Sequence, residues 1–555
     1  MRSAPYSSWL PIPALLAMAS MAAAQPVPDA GQIQREVLPR PPVPVPATPP
    51  IGIREPANGA GAAGGARFTV TAVVLQGNTV LSTDELLALV ADLSGPGRTL
   101  ADVQAAARRI TDHYRANGYP VARAFVPAQD VTAGEVRIDV LEGRIDRVEL
   151  NNSSRLSDAV LSATLGDVQV GEVIATAPIE RALLQWNSTP GVGAARATLQ
   201  PGERVGTSRL GLEFDAAPPA QGSVVLDNHG SSYTGRARLA ALLQINSPLG
   251  LGDQLGLAAL TSGRALRHGR IVYELPVASV GTRAGLSHQE TRYRLGGDFA
   301  ALQANGRARS SRAFVNHPFV LTPTSRISAT LTAADQSLHD RVDAVAVVTD
   351  KSLATISGAL RGSWNDRAGE RLSTADLQIV SGRLRIQSPG AAAQDAGTAR
   401  TQGHFTRWEW EISHLQRVAS HSQIFVAHAG QRASRNLDSA EKFAIGGPRA
   451  VRAYASGEAS GDEADRLTLE WRQSLSPALQ GVVFYDIGRV VFNRRPFDPG
   501  AASHRTLSGA GIGLNAEWSA AGTPLSLQTT LAWPLLGRPT LNDEPALWFT
   551  LTARF

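Results

Sequence analysis

Ala546-Leu547-Trp548-Phe549-Thr550-Leu551-Thr552-Ala553-Arg554-Phe555, the last ten residues of the chain, alternate along their length. In an extended strand Leu547, Phe549, Leu551, Ala553 and Phe555 fall on one face, and Trp548, Thr550, Thr552 and Arg554 on the other. The first set suits lipid and the second a lumen, the two-solvent pattern of a transmembrane β-barrel. A soluble sandwich would need a second sheet over each apolar face. Reading back from Phe555, further strand-like segments run from Pro524 to Trp533, Thr506 to Trp518, Leu479 to Gly488 and Arg466 to Ser474. That count places Gly446-Gly447-Pro448-Arg449-Ala450-Val451-Arg452-Ala453-Tyr454 in the third long outer loop from the end.

Beyond Pro218-Pro219 helical periodicity disappears, and short alternating runs are separated by Gly, Pro, Asn and Asp turns. Arg238-Leu-Ala-Ala-Leu-Leu-Gln-Ile and Arg407-Trp-Glu-Trp-Glu-Ile-Ser are examples. About sixteen such segments fit residues 218–555, a density that suits a membrane barrel. A mean hydropathy of −0.09 agrees, because barrel strands mix lipid-facing and lumenal residues.

The N-terminus reads as an export signal over 1–24: Arg2, an apolar run from Leu10 to Ala22, and Ala22-Ala23-Ala24 for cleavage. Cysteine is absent, which removes disulfides and thiolate metal sites. A net charge of +5 without a basic run gives no nucleic-acid signal. Residues 25–40 hold a short amphipathic segment, with Ile33, Val37 and Leu38 at helix-compatible spacing. A linker follows over 41–66, rich first in proline and then in glycine. Its Gly59-Ala60-Gly61-Ala62-Ala63-Gly64 precedes a strand instead of following one, so it is not read as a nucleotide fingerprint.

Two modules of order β-α-α-β-β occupy 67–143 and 144–217. In the first, Phe68 to Leu75 reads as a strand and Thr83 to Ala91 as a helix. Thr99-Leu-Ala-Asp102 resembles a capping box opening a longer helix, and Gly118 supplies its left-handed stop. Strands follow at Val121 to Val126 and Val136 to Leu141. The second module repeats the order, with a helix from Pro178 that carries proline in its first turn. No Walker loop, H-E-x-x-H or G-x-S-x-G motif is present, and the eleven histidines are scattered. No enzyme activity, cofactor or metal is therefore expected.

These residues resemble the pore-forming outer-membrane transporters of two-partner secretion. Tyr114-Arg-Ala-Asn-Gly118-Tyr119, with Glu142-Gly143, looks like the signature of a polypeptide-transport-associated (POTRA) domain. Asp227-Asn228-His229-Gly230 with Gly235, then Asn246-Ser247-Pro248-Leu249-Gly250 with Gly252-Asp253, resemble the start of the family's barrel. The family usually has a direct Asn-Pro junction, which Ser247 interrupts here. Val451-Arg452-Ala453-Tyr454 resembles the loop-six motif within 433–465, with alanine where glycine is common in third place. Phe484-Tyr485-Asp486-Ile487-Gly488 resembles the barrel-wall motif whose aspartate receives the loop arginine.

The resemblance implies a mostly β fold: a 16-stranded barrel in the Gram-negative outer membrane, two periplasmic POTRA domains and a plug helix. It implies transport of a large unfolded exoprotein (an adhesin, haemolysin or contact-dependent toxin) without ATP. Phe555 would be the assembly signal read by the barrel-assembly machinery, with periplasmic chaperones as further partners and outer-membrane lipid as surroundings. Arg452 presents a planar fork suited to a carboxylate such as Asp486; the alternative is a solvated arginine on a mobile loop. Two other functions stay open on these residues, an outer-membrane protein assembly factor of the same superfamily and a porin-type channel.

Overall fold

The structure is a computed structural model that describes residues 27–37, 51–53, 66–166, 168–278, 281–366, 368–541 and 544–555. The export signal, Leu38, and the proline-rich and glycine-rich stretches of the linker lie outside the described residues. The described chain opens with α1 (Ala30–Val37) and β1 (Ile51–Ile53).

Two α/β units follow. In the first, β2 (Phe68–Val70) pairs with β4 (Gly95–Arg98), and a second sheet has the order β3 (Ala72–Gln76), β6 (Glu135–Leu141), β5 (Arg123–Phe125). Helices α2 (Thr83–Ala88) and α3 (Leu100–Ala116) complete the unit. Thr99 and Asp102 form the capping box at the head of α3. Val103, Ala106, Ala107, Ile110 and Tyr114 make one buried stripe at helical spacing, packed with Val136, Ile138 and Val140 of β6. The helix stops at Gly118, whose φ of +88° is left-handed, and the Tyr119 amide donates to the Tyr114 carbonyl at 3.0 Å.

The second unit contains β7 (Arg144–Asn152), α4 (Asp158–Ala163), α5 (Thr176–Asn187), β8 (Val192–Pro201) and β9 (Thr207–Ala216). Its sheet order is β1-β8-β9-β7. The linker thus supplies a strand that sequence reading does not find. Ile51, Gly52 and Ile53 pair in parallel with Ala197, Thr198 and Leu199 and occupy an edge that would otherwise be open.

The barrel closes as expected from sixteen antiparallel strands. They are β10 (Ala220–Asp227), β11 (Arg238–Asn246), β12 (Gln254–Thr261), β13 (Leu266–Pro276), β14 (Arg283–Arg294) and β15 (Ala304–Leu321). Next come β16 (Ser325–Val342), β17 (Val347–Asn365), β18 (Arg371–Ile386), β19 (Gly403–Ala419) and β20 (Ser422–Ala433). After loop six the wall resumes with β23 (Glu463–Ser476), β24 (Leu479–Val491), β25 (His504–Ala520), β26 (Thr523–Leu536) and β27 (Ala546–Arg554). Loop six holds a small ribbon, β21 (Phe443–Ala444) with β22 (Ser460–Gly461), and α6 (Pro389–Gly397) lies between β18 and β19. Among the described residues no helix is long and apolar enough to cross a membrane.

Alternation decides which way each side chain points. Leu547 of β27 is 58% exposed on the lipid side, whereas Trp548 is 8% exposed and faces the lumen. The first and last strands meet over five pairs, from Ser223↔Arg554 to Asp227↔Thr550. Helix α1 is inside the barrel. Its Ala30, Ile33 and Val37 pack against the lumenal Leu260, Leu266, Leu338 and Leu353 and against Leu437 and Ala440 of loop six.

Candidate functional site

Loop six folds back into the lumen, so the arginine is not on a solvated tip. Val451, Ala453 and Tyr454 are fully buried, and the Arg452 side chain is 12% exposed. Asp486 sits on β24, where alternation turns it inward opposite Thr468 of β23. Arg452 donates from Nε to Asp486 Oδ2 at 2.7 Å and from Nη2 to Oδ1 at 2.9 Å. Its backbone amide also donates to Oδ2, at 3.1 Å. This is the bidentate fork expected of arginine and carboxylate.

Three contacts around the pair are not visible in the sequence. Glu470 of β23 accepts from Arg452 Nη1 at 2.7 Å and from Arg472 Nε at 2.8 Å. Two guanidiniums therefore face two carboxylates, so the cluster is balanced. The Arg452 guanidinium lies 3.5 Å over the Phe484 ring, a cation–π contact that gives the aromatic of the wall motif a place. Trp548 donates its indole N–H to the Arg452 carbonyl at 2.7 Å, which ties the loop to the final strand.

Small residues on the wall let the loop approach. A Cβ at Gly509 of β25 would stand 2.5 Å from Ala453 Cβ, and one at Gly488 3.2 Å from both Ile445 and Val451. Alanine in the motif's third place thus has a glycine opposite it. The Tyr454 hydroxyl lies 2.7 Å from the Leu536 carbonyl and 2.6 Å from that of Gly537. Downstream in the loop, the fully buried Glu458 carboxylate accepts from Arg505 at 2.7 Å and from the Thr540 amide at 2.9 Å. Asp462 accepts from the amides of Leu437 (3.0 Å) and Arg494 (2.8 Å). Strand β20 ends at Ala433 and β23 begins at Glu463, so the loop itself covers 434–462.

The barrel-opening residues lie at the two ends of the first hairpin. Asp227 pairs with Arg238 directly across β10 and β11, at 2.8 Å and with both side chains buried. Asn228 bridges the seam: its Nδ2 donates to the Leu547 carbonyl at 2.7 Å, and its Oδ1 accepts from the Phe549 amide at 2.8 Å. The Gly230 amide donates to the Arg236 carbonyl at 3.0 Å, closing the turn that contains the left-handed Gly235. At the other end Asp253 is fully buried and accepts from the Tyr273 hydroxyl at 2.9 Å. Ser247, the residue interrupting the Asn-Pro junction, adopts a left-handed φ of +48° and accepts from the Gly252 amide at 3.0 Å. The insertion is therefore built into the turn. A Cβ at Gly252 would come within 2.7 Å of Thr189, so this turn abuts the second α/β unit.

In the first α/β unit Tyr114 donates to Glu142 Oε1 at 3.0 Å, and the Val80 amide donates to the same oxygen at 2.8 Å. Thr79 donates to Glu142 through both its amide and its hydroxyl. Burial alone would raise the Glu142 pKa, but these hydrogen bonds outweigh it and hold the carboxyl below the ordinary glutamate value. Tyr119 stacks edge-on against Tyr114, with centroids 5.9 Å apart. A Cβ at Gly143 would lie 2.4 Å from Val121. Tyr114, Tyr119, Glu142 and Gly143 thus lie within the packing of the unit, while Gly118 serves as the left-handed helix stop.

The plug is fixed by charge as well as by packing. Asp29 accepts from the Gln32 amide at 3.0 Å, and Asp340 of β16 accepts from the Ala30 amide at 2.8 Å. Lys351 of β17 reaches both Asp29 (3.2 Å) and Asp438 of loop six (2.7 Å). Among the described residues no group of His, Cys, Asp or Glu could hold a metal ion.

Comparison with known proteins agrees with this architecture. Residues 206–516 match the family described as haemolysin secretion/activation protein ShlB/FhaC/HecB, and residues 68–143 match the ShlB-type POTRA domain. The heme/hemopexin transporter protein HuxB of Haemophilus influenzae is 30% identical over 501 residues, covering 88% of each chain. The outer membrane transporter CdiB of Dickeya dadantii is 25% identical over 84% of this chain and 83% of its own. The solved structure of CdiB from Escherichia coli superposes with a TM-score of 0.71 at 23% identity, covering 90% of this chain and 93% of that one. BamA from Haemophilus ducreyi lacking POTRA domains 1–3 shares the fold with a TM-score of 0.52 at 14% identity, covering 88% of this chain and 100% of its own. The chain belongs to the haemolysin secretion/activation protein family, the outer-membrane transporters of two-partner secretion.

Proposed function

We propose that this transporter captures the unfolded N-terminal region of a large secreted exoprotein at its periplasmic α/β units and passes it through the barrel. In this proposal Arg452 and Asp486 act as the latch that holds loop six against the wall. The observation that carries the reading is the three-point contact of Arg452 with Asp486, inside a lumen also filled by α1. A diffusion pore has no need of a buried loop and helix closing its own lumen. The client would bind as an added strand at a sheet edge, where backbone hydrogen bonds give affinity with few sequence demands. Folding outside the cell would remove unfolded chain and draw the equilibrium outward without ATP. Phe555 would be read by the barrel-assembly machinery, with periplasmic chaperones delivering the nascent chain.

The test is co-expression with a candidate exoprotein and assay of the culture medium, for the wild type and for Arg452→Ala. The variant is expected to insert normally and to release little client. Client release equal to wild type at equal membrane abundance would overturn the latch. Absence of client from the medium with the wild type would overturn the pairing of transporter and exoprotein.

A further inference from the structure

The outer wall of the barrel carries a basic cluster that the transport function does not use. Arg267, Arg292 and Arg307 stand directly opposite one another on β13, β14 and β15. Like charges in direct cross-strand register destabilise a sheet. One row nearer the membrane, Glu290 lies opposite Arg309. Glu290 is the shared partner of Arg292, Arg309 (2.8 Å) and Arg307 (3.8 Å). On β13 to β15 four guanidiniums face one carboxylate, leaving three positive charges; Asp350 stands in the outer of the two rows, beyond His339. The side chains of Arg292, Arg307 and Arg309 are 61%, 41% and 47% exposed, so the row is open to a ligand. The Arg309 row continues through Ser337 and Ser352 to Arg385 of β18. Asp335 and Asp350 lie on the same face, and Asp350 is paired with His339 at 2.6 Å.

The level of the cluster along the barrel is informative. Strand β10 leaves the periplasmic units at Ala220, so Leu321 of β15 is at the inner end and Ala304 at the outer end. Phe319, 60% exposed, is a large apolar side chain two residues from the inner end of this strand and serves as its inner reference point. Arg309 is ten residues outward, about 33 Å along a strand tilted by about 40°, which rises about 25 Å. An outer-membrane barrel presents an apolar band about 25 Å tall. Arg309 is therefore at the outer headgroup level. Below the arginines lies an outward-facing groove of about 1090 Å³ whose upper row carries His288, Ser311, Asp335 and Arg383 and whose lower part is lined by Leu286, Ala313 and Ile356. Leu286 and Ile356 are 66% and 62% exposed there.

We infer that this face binds a phosphorylated glycolipid of the outer leaflet, with its phosphates on Arg267, Arg292, Arg307 and Arg309 and its acyl chains along the groove. Guanidinium forks match phosphate oxygens in charge and geometry. Phosphates would neutralise an arginine row that otherwise repels itself, and the apolar groove begins where the acyl chains of such a lipid would start.

The experiment uses the purified full-length protein in detergent. Thermal unfolding is followed with bisphosphorylated lipid A and with the same lipid stripped of both phosphates. The phosphorylated lipid is expected to raise the unfolding midpoint clearly more than the stripped lipid, which keeps only the acyl contact with the groove; equal shifts, or no shift with the phosphorylated lipid, would overturn the inference. Inorganic phosphate alone reproducing the full shift would overturn the lipid as the source. In the triple variant Arg292→Gln, Arg307→Gln, Arg309→Gln the apparent affinity is expected to fall by about tenfold or more. Folding of that variant is read from its heat-modifiable band, and Arg196→Gln on the periplasmic β8 serves as the control. Wild-type affinity in a folded triple variant would also overturn the site. The wild-type comparison of the two lipids stands whether or not the variant folds.

Discussion

Asp29, at the head of the plug helix, and Lys351, on the barrel wall, lie 3.2 Å apart, and the same ammonium reaches Asp438 of loop six at 2.7 Å. One cation thus joins plug, wall and loop. The side chains involved are between 6% and 21% exposed, so solvent does little to replace the contact. Removing one member of a buried ionic cluster leaves its partners uncompensated, at a cost of about 3–5 kcal/mol. Lys351→Met is therefore expected to loosen both plug and loop and to raise single-channel conductance in planar bilayers. A variant as closed as the wild type would show that packing of Ile33 and Val37, with the bond from the Ala30 amide to Asp340, retains the helix without Lys351.

The latch predicts a difference between conservative changes. Lysine at position 452 keeps the charge but cannot make two parallel bonds to Asp486 and a third to Glu470. Arg452→Lys is expected to secrete a client at well below wild-type level, and Asp486→Asn to behave similarly. Glu470→Gln should be milder, because it leaves the Asp486 fork in place. Medium assays at matched membrane abundance check the order; a lysine variant equal to wild type would reduce the pairing to simple charge.

The barrel seam is short, and its two ends are held differently. At one end Asn228 makes two side-chain bonds to the backbone of β27. At the other, Phe555 exchanges backbone bonds with Gly222 at 2.8 and 3.0 Å. Asn228→Ala removes about 1 kcal/mol per lost bond and is expected to lower the temperature at which the folded band disappears, with insertion unchanged. Deleting Phe555 is expected to lower membrane abundance itself. Equal abundance of the deletion in the outer membrane would count against an assembly role.

Glu142 makes the first periplasmic unit sensitive to acid. Its pKa is held below the ordinary glutamate value of 4.5, burial being outweighed by hydrogen bonds from Thr79, Val80 and Tyr114. A carboxyl depressed in the folded state contributes stability that is full above its unfolded pKa. That contribution is lost as pH falls below about 4.5 towards the folded value. Proteolysis of the full chain should therefore cut this unit first as pH drops through that window. Glu142→Gln should be weaker at neutral pH by about 1–3 kcal/mol and should lose that part of the acid dependence. A variant with an unchanged acid profile would remove Glu142 from the explanation.

Much of this architecture is legible in the sequence because the barrel has two solvents. Lumen and lipid impose alternation on β27, and a helical stripe marks α3. The loop-six motif and Asp486 were found through their resemblance to the family's motifs, since the residues alone left a solvated arginine on a mobile loop open. Glu470 was not, since a glutamate on a lumenal face needs no partner until the loop is folded onto it. Arg238 became the partner of Asp227 only through strand register. Gly95-Pro96-Gly97-Arg98 forms β4 despite a composition that reads as a turn, because it pairs with Phe68 and Val70.

The hidden strand β1 has a functional consequence. Ile51-Gly52-Ile53 was illegible because three residues inside a proline-rich and glycine-rich linker give no period. Once paired with β8, it covers the backbone groups of that sheet edge, which a client strand added there, as proposed above, would need. A tethered segment competes at an effective concentration of about millimolar, so a client binding at this edge would have to displace it. Gly52→Pro removes an amide hydrogen and disrupts the strand without adding charge. The variant is expected to bind a peptide from the client's N-terminal region about threefold or more tightly, measured on the full-length transporter in detergent. Unchanged affinity would place the client on another edge, and weaker affinity would make β1 part of the binding surface instead of its cover.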